Sequence, residues 1–213
     1  MHSSNQYRSV QRASAWIVGL ILLAWASTAR AGGGEVQPPT AKPHGSSLSD
    51  AAAATAAFNS GPRTPDTLPK TPFQVLYVKP GDVAKTFVVK SGTSFYVPVE
   101  SVDDSPPILG DFPQDVSDQD DDADYFFSPD EIGGSDFTIE VDGRATELGP
   151  DYVAGVTTAP LPDGGGRHYI VIGAFLTPMS KGPHIVKISG TLDGDAIGGS
   201  FSFEIVYTVI VQN

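Results

Sequence analysis

No cysteine occurs anywhere in the 213 residues. That absence excludes a disulfide framework, a zinc-thiolate site, an iron-sulfur cluster, a thiol nucleophile and a lipidated cysteine. Stability must therefore come from a buried core. Basic residues are also scarce, with 13 Lys and Arg against 25 Asp and Glu and a net charge of -12. Nucleic-acid binding depends on Lys and Arg displacing counterions, so no nucleic acid is expected as a partner. Several catalytic signatures are missing as well: no Gly-x-Ser-x-Gly, no His-Glu-x-x-His and no Gly-x-x-x-x-Gly-Lys-Ser/Thr occurs. The carboxylate pairs of glycoside hydrolysis are defined by separation in space, so an abundance of acids is not evidence for them. The expectation is a protein that is not an enzyme and has no resident cofactor.

Hydrophobic runs long enough to span a bilayer are lacking too. The one extended apolar stretch, Ala13 to Ala26, falls short of the ~20 residues a transmembrane helix needs. Arg8 and Arg12 precede it, no acid accompanies them, and Ala29-Arg30-Ala31 follows as a small-residue cleavage pattern. Residues 1–31 thus read as a signal peptide cut before Gly32. The product is expected outside the cytoplasm, in periplasm, cell envelope or medium, with no membrane attachment after cleavage.

Residues 32–72 are rich in Gly, Pro, Ala, Ser and Thr, and Val36, Leu48, Phe58 and Leu68 are their only large apolar side chains. Such a segment buries too little surface to offset its ordering entropy, which predicts a flexible, disordered linker. Ala51 to Ala57 could form a turn or two of helix, marginal in isolation.

From Phe73 onward short apolar runs alternate with period two and are cut by Gly, Pro and Asp turns. The pattern predicts strands over 73–79, 85–90, 94–100, 137–142, 145–148, 152–157, 168–175, 184–190 and 201–212. Asp142-Gly143 between alternating runs predicts a type I′ hairpin, where both central residues take positive φ. Phe201, Phe203, Ile205, Tyr207, Val209 and Val211 share one face of the last strand and are expected in the core. On the strand before it His184, Val186, Ile188 and Leu192 point inward. The fold expected is all-β: one sandwich domain over 73–213, with a long acidic loop and the disordered N-terminal region ahead of it.

The segment Ile172-Gly-Ala-Phe-Leu-Thr-Pro-Met-Ser-Lys-Gly-Pro-His-Ile-Val-Lys-Ile-Ser-Gly, followed by Phe203-Glu-Ile-Val-Tyr-Thr-Val-Ile-Val, resembles the end of a group of uncharacterised bacterial secreted β-sandwich proteins. Phe95-Tyr96-Val97-Pro98 and the segment opening at Phe137 fit the same group's upstream strands. The resemblance implies an exported, immunoglobulin-like sandwich and carries no assigned reaction. In such modules a residue placed like His184 fastens a loop to the backbone, in the manner of a tyrosine corner.

Chemistry is most concentrated between Asp103 and Asp136, a stretch of twelve acids without a Lys or Arg. Asp118, Asp120 and Asp122 have the D-x-D-x-D spacing that opens an EF-hand, but Ala123 stands where the turn glycine belongs and Pro129 where the bidentate Glu belongs. The remaining possibilities are a solvated acidic loop or an irregular calcium site built from Asp118, Asp120, Asp122, Asp124 and Asp130. Tyr125-Phe126-Phe127, with Phe112, reads as an anchor for that loop in preference to a stacking platform for sugars. His184 reads as a hydrogen-bonded core histidine, His168 as a residue at the rim, and His44 as part of the linker. Together these features predict a non-enzymatic extracytoplasmic interaction module with a protein or glycan partner. The alternative is a calcium- or carbohydrate-binding sandwich using the acidic loop and nearby aromatics, Tyr96 among them.

Overall fold

Period-two alternation produces strands wherever the sequence shows it. The computed structural model describes residues 32–213, so the expected signal peptide lies outside the described residues. Among the described residues are β1 (Gln74–Val75), β2 (Ala84–Lys90), β3 (Phe95–Asp103), β4 (Gly134–Val141), β5 (Arg144–Glu147), β6 (Val153–Thr157), β7 (His168–Leu176), β8 (Gly182–Leu192) and β9 (Phe201–Gln212). Two helices join them, α1 (Leu48–Asn59) and α2 (Gln119–Phe127).

The strands form two sheets, ordered β1-β3-β7-β6 and β2-β9-β8-β4-β5. The pairs β1–β3 and β2–β9 are parallel, and the others are antiparallel. From β3 onward the chain runs one strand in the first sheet, two in the second, two in the first and two in the second, which is the succession of an immunoglobulin-type sandwich. Asp142 and Gly143 both have positive φ, 51° and 82°, and turn β4 into β5 as the hairpin requires.

The sandwich interior is lined from β3, β4, β7, β8 and β9, with Val97, Ile139, Ile170, Ile172, Val186 and Val209 fully enclosed. Each such side chain contributes about 1.5 to 3 kcal/mol before entropy. On β9 the inward face is the expected one, but its depth differs along the strand. Tyr207, Val209 and Val211 are buried, Phe203 and Ile205 are partly covered, and Phe201 is 53% exposed. The first residues of β9 run past β2, which pairs only with Val206 to Gln212, so Phe201 leaves the core.

Residues 32–72 are not the disordered linker that their composition suggests. α1 lies on the outer face of the first sheet, where Leu48, Ala51, Ala52 and Ala56 pack with Tyr96, Tyr169, Val171 and Phe175. Burial comes from a stripe of small residues that lets a helix sit close to the strands, not from large apolar side chains. A capping box starts it: the Ser47 hydroxyl accepts from the Asp50 N–H at 3.2 Å, and the Asp50 carboxylate accepts from the Ser47 N–H at 2.8 Å. At the far end the Asn59 amide lies 2.6 Å from the Tyr169 hydroxyl. Ahead of α1, Gly33 and Val36 make bridges to Met179 and Leu176, and the Gln37 N–H donates to the Phe175 carbonyl at 2.8 Å. The first sheet is therefore covered on both faces. β7 records this directly: Ile170, Ile172, Ala174 and Leu176 face the sandwich interior while Tyr169, Val171 and Phe175 face α1.

The acidic stretch departs from expectation in the same way, as its centre is helical instead of a long loop. Asp118 caps α2, its carboxylate accepting from the Asp120 N–H at 3.1 Å, and Asp120, Asp121 and Asp122 occupy the first turn. Carboxylates at a helix N-terminus complement the unpaired N–H groups and the dipole there, which offsets much of their mutual repulsion.

Candidate functional site

α2 turns Asp122, Ala123, Tyr125 and Phe126 toward the domain. Phe126 packs on Phe137 with ring centroids 5.5 Å apart, and Phe112 lies 5.1 Å from Tyr125, whose hydroxyl donates to the Leu109 carbonyl at 2.7 Å. Burying these aromatics is worth several kcal/mol, and helical geometry then forces Asp122, four residues before Phe126, onto the same face. Opposite it stands Gly155 of β6. A Cβ there would overlap the Asp122 carboxylate and the Val116 carbonyl, so glycine is what permits α2 to approach the strand.

None of the Asp122 surface is exposed, and neither Oδ1 nor Oδ2 has a hydrogen-bond partner. Among the described residues these are the buried side-chain oxygens left unpaired. Desolvation, followed by the charges of Asp118, Asp121 and Asp115, pushes the carboxyl from the ordinary aspartate range up to about 7. The residue forms part of the wall of a cleft of about 580 Å³, bounded by the segment before α1, the start of α2 and β6. Leu48, Val153, Ala154 and Val156 supply apolar surface, Ser47, Ser117 and Gln119 polar surface, and Asp151 a second acid.

The five aspartates singled out for calcium do not converge. Asp118 is a helix cap, Asp122 points inward, Asp120 and Asp124 lie on exposed parts of α2, and Asp130 sits in the turn beyond it. Among the described residues no three His, Asp or Glu side chains are placed to share a metal ion. Helix formation is the reason: a 100° step per residue fans out carboxylates that a loop could have gathered. The aromatics do not form a stacking platform either. Tyr125 and Phe126 are buried and Phe127 packs against Phe137, so they anchor α2 to the sandwich, while Tyr96 is buried beneath α1.

His184 is buried as expected, with partners that sequence reading missed. Its Nδ1 lies 2.7 Å from Asp142 Oδ2, and its Nε2 lies 2.8 Å from the Ser180 carbonyl and 3.4 Å from the Ser180 hydroxyl. The order Ser, His, Asp has the outline of a nucleophilic triad, but Nε2 donates to the closer carbonyl, which can only accept. The imidazole therefore ties the 181–182 turn to the β4–β5 hairpin. His168, at the start of β7, pairs through Nδ1 with Asp104 at 2.8 Å. Burial acts upward on Asp104, but the amides of His168 and Arg167 and the His168 ring outweigh it and hold the carboxyl below its ordinary value. His44, assigned to the linker, lies 3.3 Å from the Ser94 hydroxyl.

The fold and site define an immunoglobulin-type sandwich carrying a helix-bounded, acidic cleft. No family model matches the chain, and no curated protein matches it. Among solved structures the chain is similar to the one titled "Solution Structure of Amebosin" at 11% identity, over 67% of this chain and 100% of that one, with a TM-score of 0.22. A likeness at that level carries no argument about fold or function. Among the described residues no helix is long and apolar enough to cross a membrane.

Proposed function

We propose that this protein is a non-enzymatic binding module that works outside the cytoplasm and uses the cleft over Asp122 as its ligand site. One observation carries the reading: a fully buried carboxylate without a hydrogen-bond partner forms part of the wall of a concave surface that combines apolar and polar side chains. Buried polar groups are almost always paired, and concave apolar surfaces with a few placed polar groups are the usual form of a ligand site. The export reading rests on the Arg8 to Ala31 segment, and the resemblance to secreted sandwiches agrees with it.

Photo-crosslinking in the native host tests this. A photoreactive residue at Thr40 or Thr157, on the cleft rim, should give a specific adduct that a residue at Thr86, on the outer face of the second sheet, does not give. Adducts at all three positions alike, or at none, contradict the assignment.

A further inference from the structure

We propose that the cleft between α2, β6 and the start of α1 binds a small organic cation, whose ammonium or guanidinium group pairs with the buried carboxylate of Asp122. This deepens the binding-module reading and rests on it.

The other buried polar side chains near the sheets are satisfied. Thr55 donates to the Ala51 carbonyl at 2.8 Å, and His184 makes the contacts described above. Asp122 stands apart, with both oxygens enclosed and neither paired. A carboxylate in that position needs either a proton or a cationic partner. The surroundings favour a cation. Asp122 and Asp151 line the cleft and no Lys, Arg or His does. The groups acting on Asp122 by charge are all acids, Asp118 and Asp121 on α2 and Asp115 just before it. From the other elements, Asp151 ahead of β6 lines the cleft and His168 of β7 acts on Asp115, while Asp50 of α1, on which Lys42 acts, follows the cleft-lining Ser47, Leu48 and Ser49 in sequence.

The chemistry of the donor set selects among cations. Calcium requires six to eight oxygens, and the acids here do not converge to provide them. One isolated carboxylate matches the clustered N–H donors of a single ammonium or guanidinium. Leu48, Val153, Ala154 and Val156 offer an apolar wall for an aliphatic stem, and about 580 Å³ is within the range of small-molecule sites. Because neither oxygen is open to solvent, the ligand has to displace part of the wall that encloses Asp122. Association should therefore be slow.

Isothermal titration of the full chain tests the assignment, with agmatine and cadaverine as probes and 1-pentanol as the uncharged control. N-acetyl-lysine methylamide separates a free amine from a basic side chain presented on a peptide; binding by either kind supports the cation site. The amines should bind at pH 8.5, and their affinity should fall about 30-fold at pH 5.5, following the ionised fraction of Asp122 with its midpoint of about 7. Asp122→Asn should lose at least that factor at pH 8.5, and Asp151→Asn only a few-fold. Asp122→Asn must also keep its β-sheet circular dichroism, so that lost binding is not lost folding; Thr86→Ala, exposed on β2 and away from the cleft, gives a control variant that should retain binding. Absence of amine binding, equal binding of 1-pentanol, or unchanged affinity in Asp122→Asn overturns the proposal. If the amines fail while adducts at Thr40 and Thr157 persist, the cation assignment falls and the binding-module reading stands. If both fail, neither stands.

Discussion

Asp122→Asn should stabilise this protein, and increasingly so as pH rises. In the unfolded chain an aspartate titrates near its ordinary value of 3.8, and in the folded protein Asp122 titrates at about 7. Below the lower value both states carry the proton and the residue imposes no pH-dependent penalty. As pH climbs between the two values the unfolded state ionises first, so stability is lost progressively until the folded carboxyl also ionises. The separation of roughly three pH units corresponds to about 4 kcal/mol of destabilisation above pH 8, at about 1.4 kcal/mol per unit. Asparagine has the same shape and no charge. It leaves polar atoms buried but removes the ionisation penalty, so its advantage over the wild type should grow by about 2 to 3 kcal/mol between pH 5 and pH 8. In a domain of this size that corresponds to a shift of several degrees in Tm. Paired thermal and urea melts of the two proteins, without added ligand, isolate Asp122, the one ionisable group by which they differ. A stability difference that stays constant with pH, or a variant less stable than wild type at pH 8, would refute the reasoning.

Four further outcomes follow from the packing. Ala52→Glu places a charge on the fully buried face of α1 and should cost more than 3 kcal/mol, whereas Ala53→Glu on the exposed face should change stability by less than about 0.5 kcal/mol; equal, small effects in urea denaturation would show that α1 is not docked. Gly155→Ala drives a methyl into the Asp122 carboxylate and the Val116 carbonyl, and should cost about 2 kcal/mol and release α2, visible as faster amide exchange at Ala123 to Phe126. His184→Ala removes the fastener between Asp142 and the Ser180 carbonyl and should cost about 2 to 3 kcal/mol by the same denaturation measurement. Millimolar calcium chloride and excess EGTA should give the same Tm, because the five candidate aspartates are fanned around a helix and its flanks; a rise of several degrees with calcium would restore the metal reading.

The sheets were legible because strands announce themselves by alternation, and each of the nine expected runs became one, with ends shifted by a few residues. The helices were hidden for specific reasons. α1 buries alanines, which contribute little to any hydrophobic pattern, so residues 32–72 had the composition of a tether. Two signals could have corrected this. Ser47-x-x-Asp50 is a capping box, and Tyr169 to Leu176 is an unbroken apolar run, the pattern of a strand covered on both faces, which demands something packed on its second side. α2 was hidden by charge. Reasoning from repulsion between neighbouring aspartates overlooked that Asp118 is a cap and that its successors sit at the favourable end of a helix.

The site was legible in one residue and not in its chemistry. Asp122 stood among the candidates as one ligand of a shared ion, whereas the fold isolates it from its neighbours and buries it. That outcome depends on Gly155, 33 positions away and paired with Ile170 in the sheet, a juxtaposition that no local pattern encodes. Asp142 likewise showed only its turn chemistry. Its second role, as partner to His184, comes from the β4–β8 pairing.

The most direct measurement is the pH titration of the Asp122 carboxyl carbon by NMR, its resonance assigned by its loss in Asp122→Asn. A midpoint near pH 7 is the expected result and establishes an unpaired, buried carboxylate beneath the cleft. A midpoint at or below 4 would mean a solvated or hydrogen-bonded group, and would contradict the account of this site.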